Sequence, residues 1–207
     1  NVTAKLGVDT LDLDNRRRRD GVSAANALGR DRVVASLSLD SPLLKDSAIG
    51  RLGANANAEV ERLSDFGTLT TLGAGLNWAP SDRLNLLASW TREEGAPSVS
   101  QLGEPILETP DVRVFDFTTG ETVLVSALSG GNPNLDSDRR HVVKIGANWK
   151  PIEDKELRLR ADYVRTTIKD PVASFPGPSA ELEAAFPGRF LRDGGGALVA
   201  VDLRPVN

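Results

Sequence analysis

"GLNWAPSDRLNLLASW", Gly75 to Trp90, decides the fold. It holds an apolar run, a Pro, a charged turn and a second apolar run, with a Trp near each end. Leu76 and Trp78 share one face. After the turn, Leu84, Leu86, Ala88 and Trp90 share one as well. Alternation at period two marks a strand, because successive side chains of a strand point to opposite faces. The segment is therefore a β-hairpin. Alternation alone leaves open whether its apolar face meets a protein core or lipid.

The hairpin has a second copy. "LGAGLNWAPSDRLNLLASWTR" (72–92) and "VKIGANWKPIEDKELRLRADYVR" (143–165) both carry Gly-x-Asn-Trp-x-Pro, a short polar turn and a period-two run ending in an aromatic. In the second copy Val143, Ile145, Ala147 and Trp149 share a face, then Leu157, Leu159, Ala161 and Tyr163. The opposite faces are small or polar and include Asn77, Asn85, Asn148, Arg158, Arg160 and Asp162. A third hairpin alternates over Val33–Leu39 and Leu52–Val60. Val2 to Val8 alternates too, and the tail 196–204 reads as one more strand. About eight strands result, near 2–14, 32–40, 51–62, 67–79, 83–93, 141–150, 155–168 and 196–204.

The connections differ by side. Those at 41–50, 80–82 and 151–154 are short, whereas 15–31, 94–140 and 169–195 are long and 63–66 is brief. In an up-and-down antiparallel sheet alternate connections lie at one end, so tight turns gather at one end and long loops at the other. Long loops of this kind mark function or disorder, and this asymmetry characterises outer-membrane barrels. Strands of about ten residues suffice for a tilted crossing of a bilayer. Trp78 and Trp149 stand at the short-turn ends and Trp90 and Tyr163 at the far ends, as two interfacial girdles would require. The chain is therefore expected to be all-β: an antiparallel, up-and-down transmembrane β-barrel segment, with residues 1–207 forming part of one barrel domain. The alternative is a soluble all-β binding or adhesion module with recognition loops at one end.

Composition narrows the chemistry. The 207 residues are 40% hydrophobic and 26% charged, with net charge −4, no Cys, no Met and one His. No disulfide, thiolate nucleophile or Cys-based metal site is possible, and His141 alone cannot make a His-rich site. Neither a secretory leader nor a long apolar helix is visible. The chain reads as an internal piece of a longer protein. No catalytic constellation, metal site or cofactor site is expected: Glu93 and Glu94 are adjacent and point opposite ways, "RDGGGA" (192–197) lacks the residues of a phosphate loop, and "NPNLDSD" (132–138) fails the calcium-loop pattern.

At "GNPNLDSDRRHVVKIGANWKP" (131–151) the sequence resembles TonB-dependent outer-membrane receptors, in which a long outer loop often closes with Asn-Pro-x-Leu before an inward strand. "ASWTREEGAPSVSQLGEPI" (88–106) and "SDFGTLTTLGAGLNWAP" (64–80) are similar to the family's preceding strands and inner turn. The resemblance implies a plugged barrel of about 22 strands in the outer membrane of a Gram-negative bacterium. It implies import of a scarce ligand, with energy passed on by TonB through the plug. The plug, the TonB box and the remaining strands are expected to lie outside this chain. The implied partners are outer-membrane lipid, lipopolysaccharide, the plug and a small ligand, without nucleic acid. Arg16, Arg17, Arg18 and Arg19 in "NRRRRD" are candidates for lipopolysaccharide phosphates or an anionic ligand, since the guanidinium fork matches phosphate. Arg113 and Asp116 in loop 94–140 are candidate ligand contacts, and a short helix over 180–186 is expected within loop 169–195.

Overall fold

The computed structural model describes residues 1–19, 22–153 and 155–207, with the side chains of 15–19, 22–26 and 46 outside that description. In chain order the elements are β1 (Val2–Arg19), β2 (Val22–Ser47), β3 (Gly50–Leu63), β4 (Gly67–Ser81) and β5 (Leu84–Gly95). Then come α1 (Val99–Gly103), β6 (Leu107–Asp116), β7 (Glu121–Ser129), β8 (Asp138–Trp149) and β9 (Leu159–Lys169). The chain ends with α2 (Ala180–Ala185), β10 (Phe190–Arg192) and β11 (Leu198–Asp202). They fall into two compact units. One comprises Asn1–Thr10, Arg30–Ala96 and Ser137–Pro171, and the other Leu11–Gly29, Pro97–Asp136 and Val172–Asn207.

The first unit is built on a sheet of seven strands in the order β1-β2-β3-β4-β5-β8-β9, antiparallel from β2 to β9. Asn1 and Asp40 exchange two hydrogen bonds and tie β1 to β2. Strand β3 reads GRLGANANAEVERL, rich in residues that sheets usually avoid. Its conformation comes from being hydrogen-bonded on both sides, to β2 and β4. Tight turns close the hairpins at one end: Ser47 faces Gly50 and Ser81 faces Leu84. Gly50 has φ +89°, and a Cβ there would lie 2.1 Å from the Ala79 carbonyl, so both the backbone and the space require glycine.

Two expectations change here. The segment 15–31 is not a loop, because β1 runs on to Arg19 and β2 begins at Val22. The tail 196–204 is not an eighth strand of this sheet. Its strand, β11, pairs in parallel with β7 in a separate four-stranded sheet ordered β10-β11-β7-β6. Parallel pairing is within reach because the two strands lie far apart in sequence.

That second sheet organises the second unit. Alternation on β6 and β7 turns Val114 and Val125 inward, where they meet Phe175, Phe190, Leu198 and Val201. Val201 is wholly buried. Phe175 meets Phe186 and Phe190 edge-on at centroid distances of 5.6 and 6.5 Å, the arrangement favoured by the ring quadrupole. Helix α1 is fixed by a capping box: Ser98 Oγ accepts from Gln101 N, and Gln101 Oε1 accepts from Ser98 N. Helix α2 starts at Ser179, whose hydroxyl accepts from Leu182 N, and agrees with the helix expected over 180–186.

Candidate functional site: an outer belt, a polar wall and a folded loop unit

The strand registers convert sequence alternation into two continuous faces. On one, Leu39, Ala56, Ala74, Trp90 and Val143 line up across five strands. The next row holds Ala54, Leu76, Ala88, Ile145 and Tyr163, and the one after it Leu52, Trp78, Leu86, Ala147 and Ala161. Leu84, Trp149 and Leu159 follow at the short-turn end. These side chains are not covered: Leu76 is 49% exposed, Ile145 54% and Tyr163 55%. A shallow depression of about 580 Å³ lies among them, over the small residues Ala88, Ala147 and Ala161. Soluble monomers rarely leave an apolar patch of this extent open.

All four predicted interface aromatics lie on this face. Trp78 and Trp149 stand near the short turns, but Tyr163 lies in the row of Ala88 and Ile145 and Trp90 only one row beyond, so these two sit toward the middle of the strands and not at the far ends expected from the sequence. Trp78 also donates its indole N–H to the Ile49 carbonyl at 2.9 Å, stitching the strand end to the neighbouring turn.

The opposite face is polar. Asp40, Asn55, Gly75, Ser89 and Lys144 form one row, and Ser38, Asn57, Gly73 and Thr91 the next. Asn77 lies between Gly53 and Leu87, while Asn85, Asn148 and Arg160 share a row. Arg160 holds Asp162 at 2.6 Å. Arg158 precedes β9, which begins at Leu159 rather than at the expected 155, and it lies beside Glu156 at 3.8 Å. Glycines set the depth of this wall. A Cβ on Gly73 would lie 2.2 Å from Asn57 Oδ1, and one on Gly75 2.5 Å from Asn55 Oδ1. The Asn side chains therefore lie flat across the neighbouring strand instead of projecting.

The candidates in the long connections separate. The side chains of Arg16–Arg19 lie outside the described residues. Arg113 is exposed on β6, opposite Leu124 and on the same side as Phe115, whose ring meets Phe117 edge-on at 5.0 Å. Asp116 points the other way and is 1% exposed. Its Oδ1 lies 2.7 Å from Arg192 Nη2 and its Oδ2 3.0 Å from Arg192 Nη1, and Thr118 N donates to Oδ1 as well. The Arg192 hydrogen bonds outweigh burial and hold this carboxyl far below the usual range. Arg192 also reaches Glu183 on α2 at 2.5 Å, so one guanidinium joins the two long connections.

Sequence reasoning missed this architecture. Asn132, of the Asn-Pro-x-Leu motif, donates to the Pro205 carbonyl at 2.9 Å and accepts from Asn134 N, while Leu135 is buried. A cavity of about 320 Å³ lies beside them, lined in part by Phe186, Arg189, Asp202 and Arg204. Burial pushes the Asp202 carboxyl up, but hydrogen bonds from Arg204 and the charge of Arg189 outweigh it and hold it low. Among the described residues no group of side chains gathers with the composition of a metal site. No helix there is long and apolar enough to cross a membrane, which says nothing of strands.

A sheet with one continuous exposed apolar face, a polar reverse face and connections of unequal length has the pattern of a β-barrel segment. A family described as "TonB dependent receptor-like, beta-barrel" matches residues 17–188, and the chain belongs to that family. No curated protein matches it. Among solved structures it is similar to the siderophore receptor PirA from Acinetobacter baumannii, at 15% identity and TM-score 0.60, over 87% of this chain and 24% of that one. The siderophore receptor PirA from Pseudomonas aeruginosa is matched at 13% identity and TM-score 0.46, over 100% of this chain and 45% of that one. The first likeness shows the fold, and the chain spans about a quarter of that receptor's length.

Proposed function

We propose that this chain is the part of an outer-membrane receptor barrel that holds the lipid-facing wall and two ligand-facing loops of an importer in a Gram-negative bacterium. The observation that carries this reading is the pair of faces on one sheet: large apolar side chains left half exposed on one side and an Asn- and Gly-lined wall on the other. The apolar face suits acyl chains. The polar wall lines the lumen and would meet a plug domain, through which TonB passes on the energy for import. A siderophore-type ligand is the first to test, because the similar solved structures are siderophore receptors. Arg113 with Phe115 on β6 offers such a ligand a charge and an aromatic edge.

The test uses the full-length gene. Its product is expected in the outer-membrane fraction and to migrate differently on gels before and after heating. Its deletion is expected to abolish growth of the native host on one siderophore from a panel under iron limitation. Recovery in the soluble fraction without detergent would overturn the barrel. Unimpaired growth of the deletion strain on every siderophore, where the wild-type product shows the heat-dependent gel shift, would overturn the ligand class.

A further inference from the structure

Just beyond β11 the chain turns back on itself. Arg204 N donates to Asp202 Oδ1 at 3.0 Å, the turn that a short acidic side chain makes with the backbone two residues on. The turn brings the Arg204 guanidinium beside Asp202, with Nε 2.9 Å from Oδ1 and Nη2 2.7 Å from Oδ2. Arg189, from the segment after α2, reaches the same carboxylate at 3.2 Å. Its own donors hold it there: Nη1 donates to the Arg204 carbonyl at 3.0 Å and Nη2 to the Pro205 carbonyl at 3.2 Å. Two guanidinium groups therefore share one buried carboxylate.

All three side chains line the cavity of about 320 Å³ in the second unit, together with Asn134, Phe186 and Val206. Among the described residues that line it Asp202 is the only acid, so two cations against one anion leave one positive charge over. The spare charge has a direction. A guanidinium presents its five N–H groups along forked edges. Asp202 takes the edge of Arg204 formed by Nε and Nη2. The remaining edge, Nη1 with the second hydrogen of Nη2, meets no acceptor among the described residues. The Arg204 side chain is 21% exposed, so this edge is open to what enters the cavity. A carboxylate matches such an edge in plane and in spacing, and a single negative charge balances the single spare positive one. A doubly charged phosphate would overbalance it. Phe186 and Val206 add an apolar wall that suits an organic body, and the volume stands at the small end of ligand pockets.

We infer that this cavity binds a small organic acid, whose carboxylate takes the open edge of Arg204 while its apolar body lies against Phe186 and Val206. The site is separate from Arg113 and Phe115, which lie on β6 and do not line the cavity. It holds whichever face of the seven-stranded sheet meets lipid.

The experiment is ligand-observed NMR of the full-length protein in detergent, with micelles alone as the blank, titrated with benzoate, with benzamide and with inorganic phosphate. Benzoate is expected to saturate with a Kd of about 1 mM and to slow amide exchange over 132–136 and 202–206. Benzamide, the same body without the charge, should bind about tenfold more weakly or worse. Phosphate at equal concentration should not displace benzoate. Asn134→Asp keeps the size of its side chain and adds a negative charge at the cavity, and it should weaken benzoate by about tenfold. Arg204→Lys keeps the charge and loses the second fork, and it should weaken benzoate to a similar extent. Arg83→Gln, a turn cation of the first unit, should change nothing. Amide exchange in β7 and β11 without benzoate shows that each variant is folded, and the three probes on the wild type decide the matter without any variant. No saturation below about 10 mM, benzamide as tight as benzoate, displacement by phosphate, or full affinity in Asn134→Asp would overturn the site.

Discussion

Ala88 and Ser89 are neighbours in sequence and face opposite ways, so they separate the two solvents of the sheet. Ala88 stands opposite Leu76 and Ile145, and Ser89 opposite Gly75 and Lys144. Ile145 lies four residues from Trp149 and four from His141 along β8. At about 3.3 Å per residue and a strand tilt near 40°, each boundary is about 10 Å away in depth. An Arg at position 88 thus enters close to mid-bilayer, where the cost is about 2–4 kcal/mol. Snorkelling toward the nearer rim favours the lower half of that range. Ser89→Arg projects into the polar side and should cost under about 1 kcal/mol. The assay is denaturant unfolding of the full-length protein refolded into lipid bilayers, with the denaturant slope checked to be unchanged. If the apolar face met water, Ala88→Arg would be a surface change worth about 0.5 kcal/mol or less. Equal costs at 88 and 89, or a larger cost at 89, would refute the assignment of faces.

Three further outcomes are expected. Gly73→Ala should cost about 1 kcal/mol because its Cβ meets Asn57 Oδ1, and Asn57→Ala in the same chain should recover most of it in a double-mutant cycle read by denaturant unfolding. Arg192→Gln leaves the buried Asp116 carboxylate without its charged partner and should loosen the second unit by about 2–3 kcal/mol, seen as faster amide exchange in β6 and α2. The Asp116 carboxyl titrates lower in the folded chain than in the unfolded one. Its stabilisation is therefore present above the ordinary carboxylate range and is lost as pH falls below about 4, so protection of β6 should decline on acidification in the wild type and hardly at all in Arg192→Gln. Trp78→Phe removes the hydrogen bond to the Ile49 carbonyl and should cost about 1 kcal/mol in thermal unfolding.

The wall of the barrel was legible because it obeys a local rule. Trp78, Leu86 and Ala147 reach one row through three strands that each alternate in the same phase, and a reader of the sequence needs only that phase. Boundaries were harder. Strand β2 continues through Pro42 to Ser47 by register shifts at 42–44 and 44–47. Such shifts add residues to one strand without breaking the sheet, so "DSPLLKDS" carries turn residues yet stays paired. In the same way β9 starts later than its alternation suggests, which removes Arg158 from the wall.

The second unit was less legible, though not silent. Ser98 and Gln101 spell a capping box. Val112 and Val114, then Val123, Val125 and Ala127, alternate around the turn at Gly120, which is a hairpin signal. In the sequence the stretch passes for loop because it lies between two evident wall strands. The parallel pairing of β11 with β7 and the bonds from Arg192 to Asp116 and Glu183 join groups far apart in the chain. No period encodes such meetings. They follow from the need to bury Val201 and Phe175, and from the cost of leaving the Asp116 charge unpaired once that core closes over it. Asp116 shows the consequence for site prediction. In sequence an acidic residue beside Phe115 in a long loop suggests a ligand contact. In the folded chain its position on the inner phase of β6 commits it to Arg192, and the outer phase leaves Arg113 and Phe115 free to meet whatever approaches the exposed side.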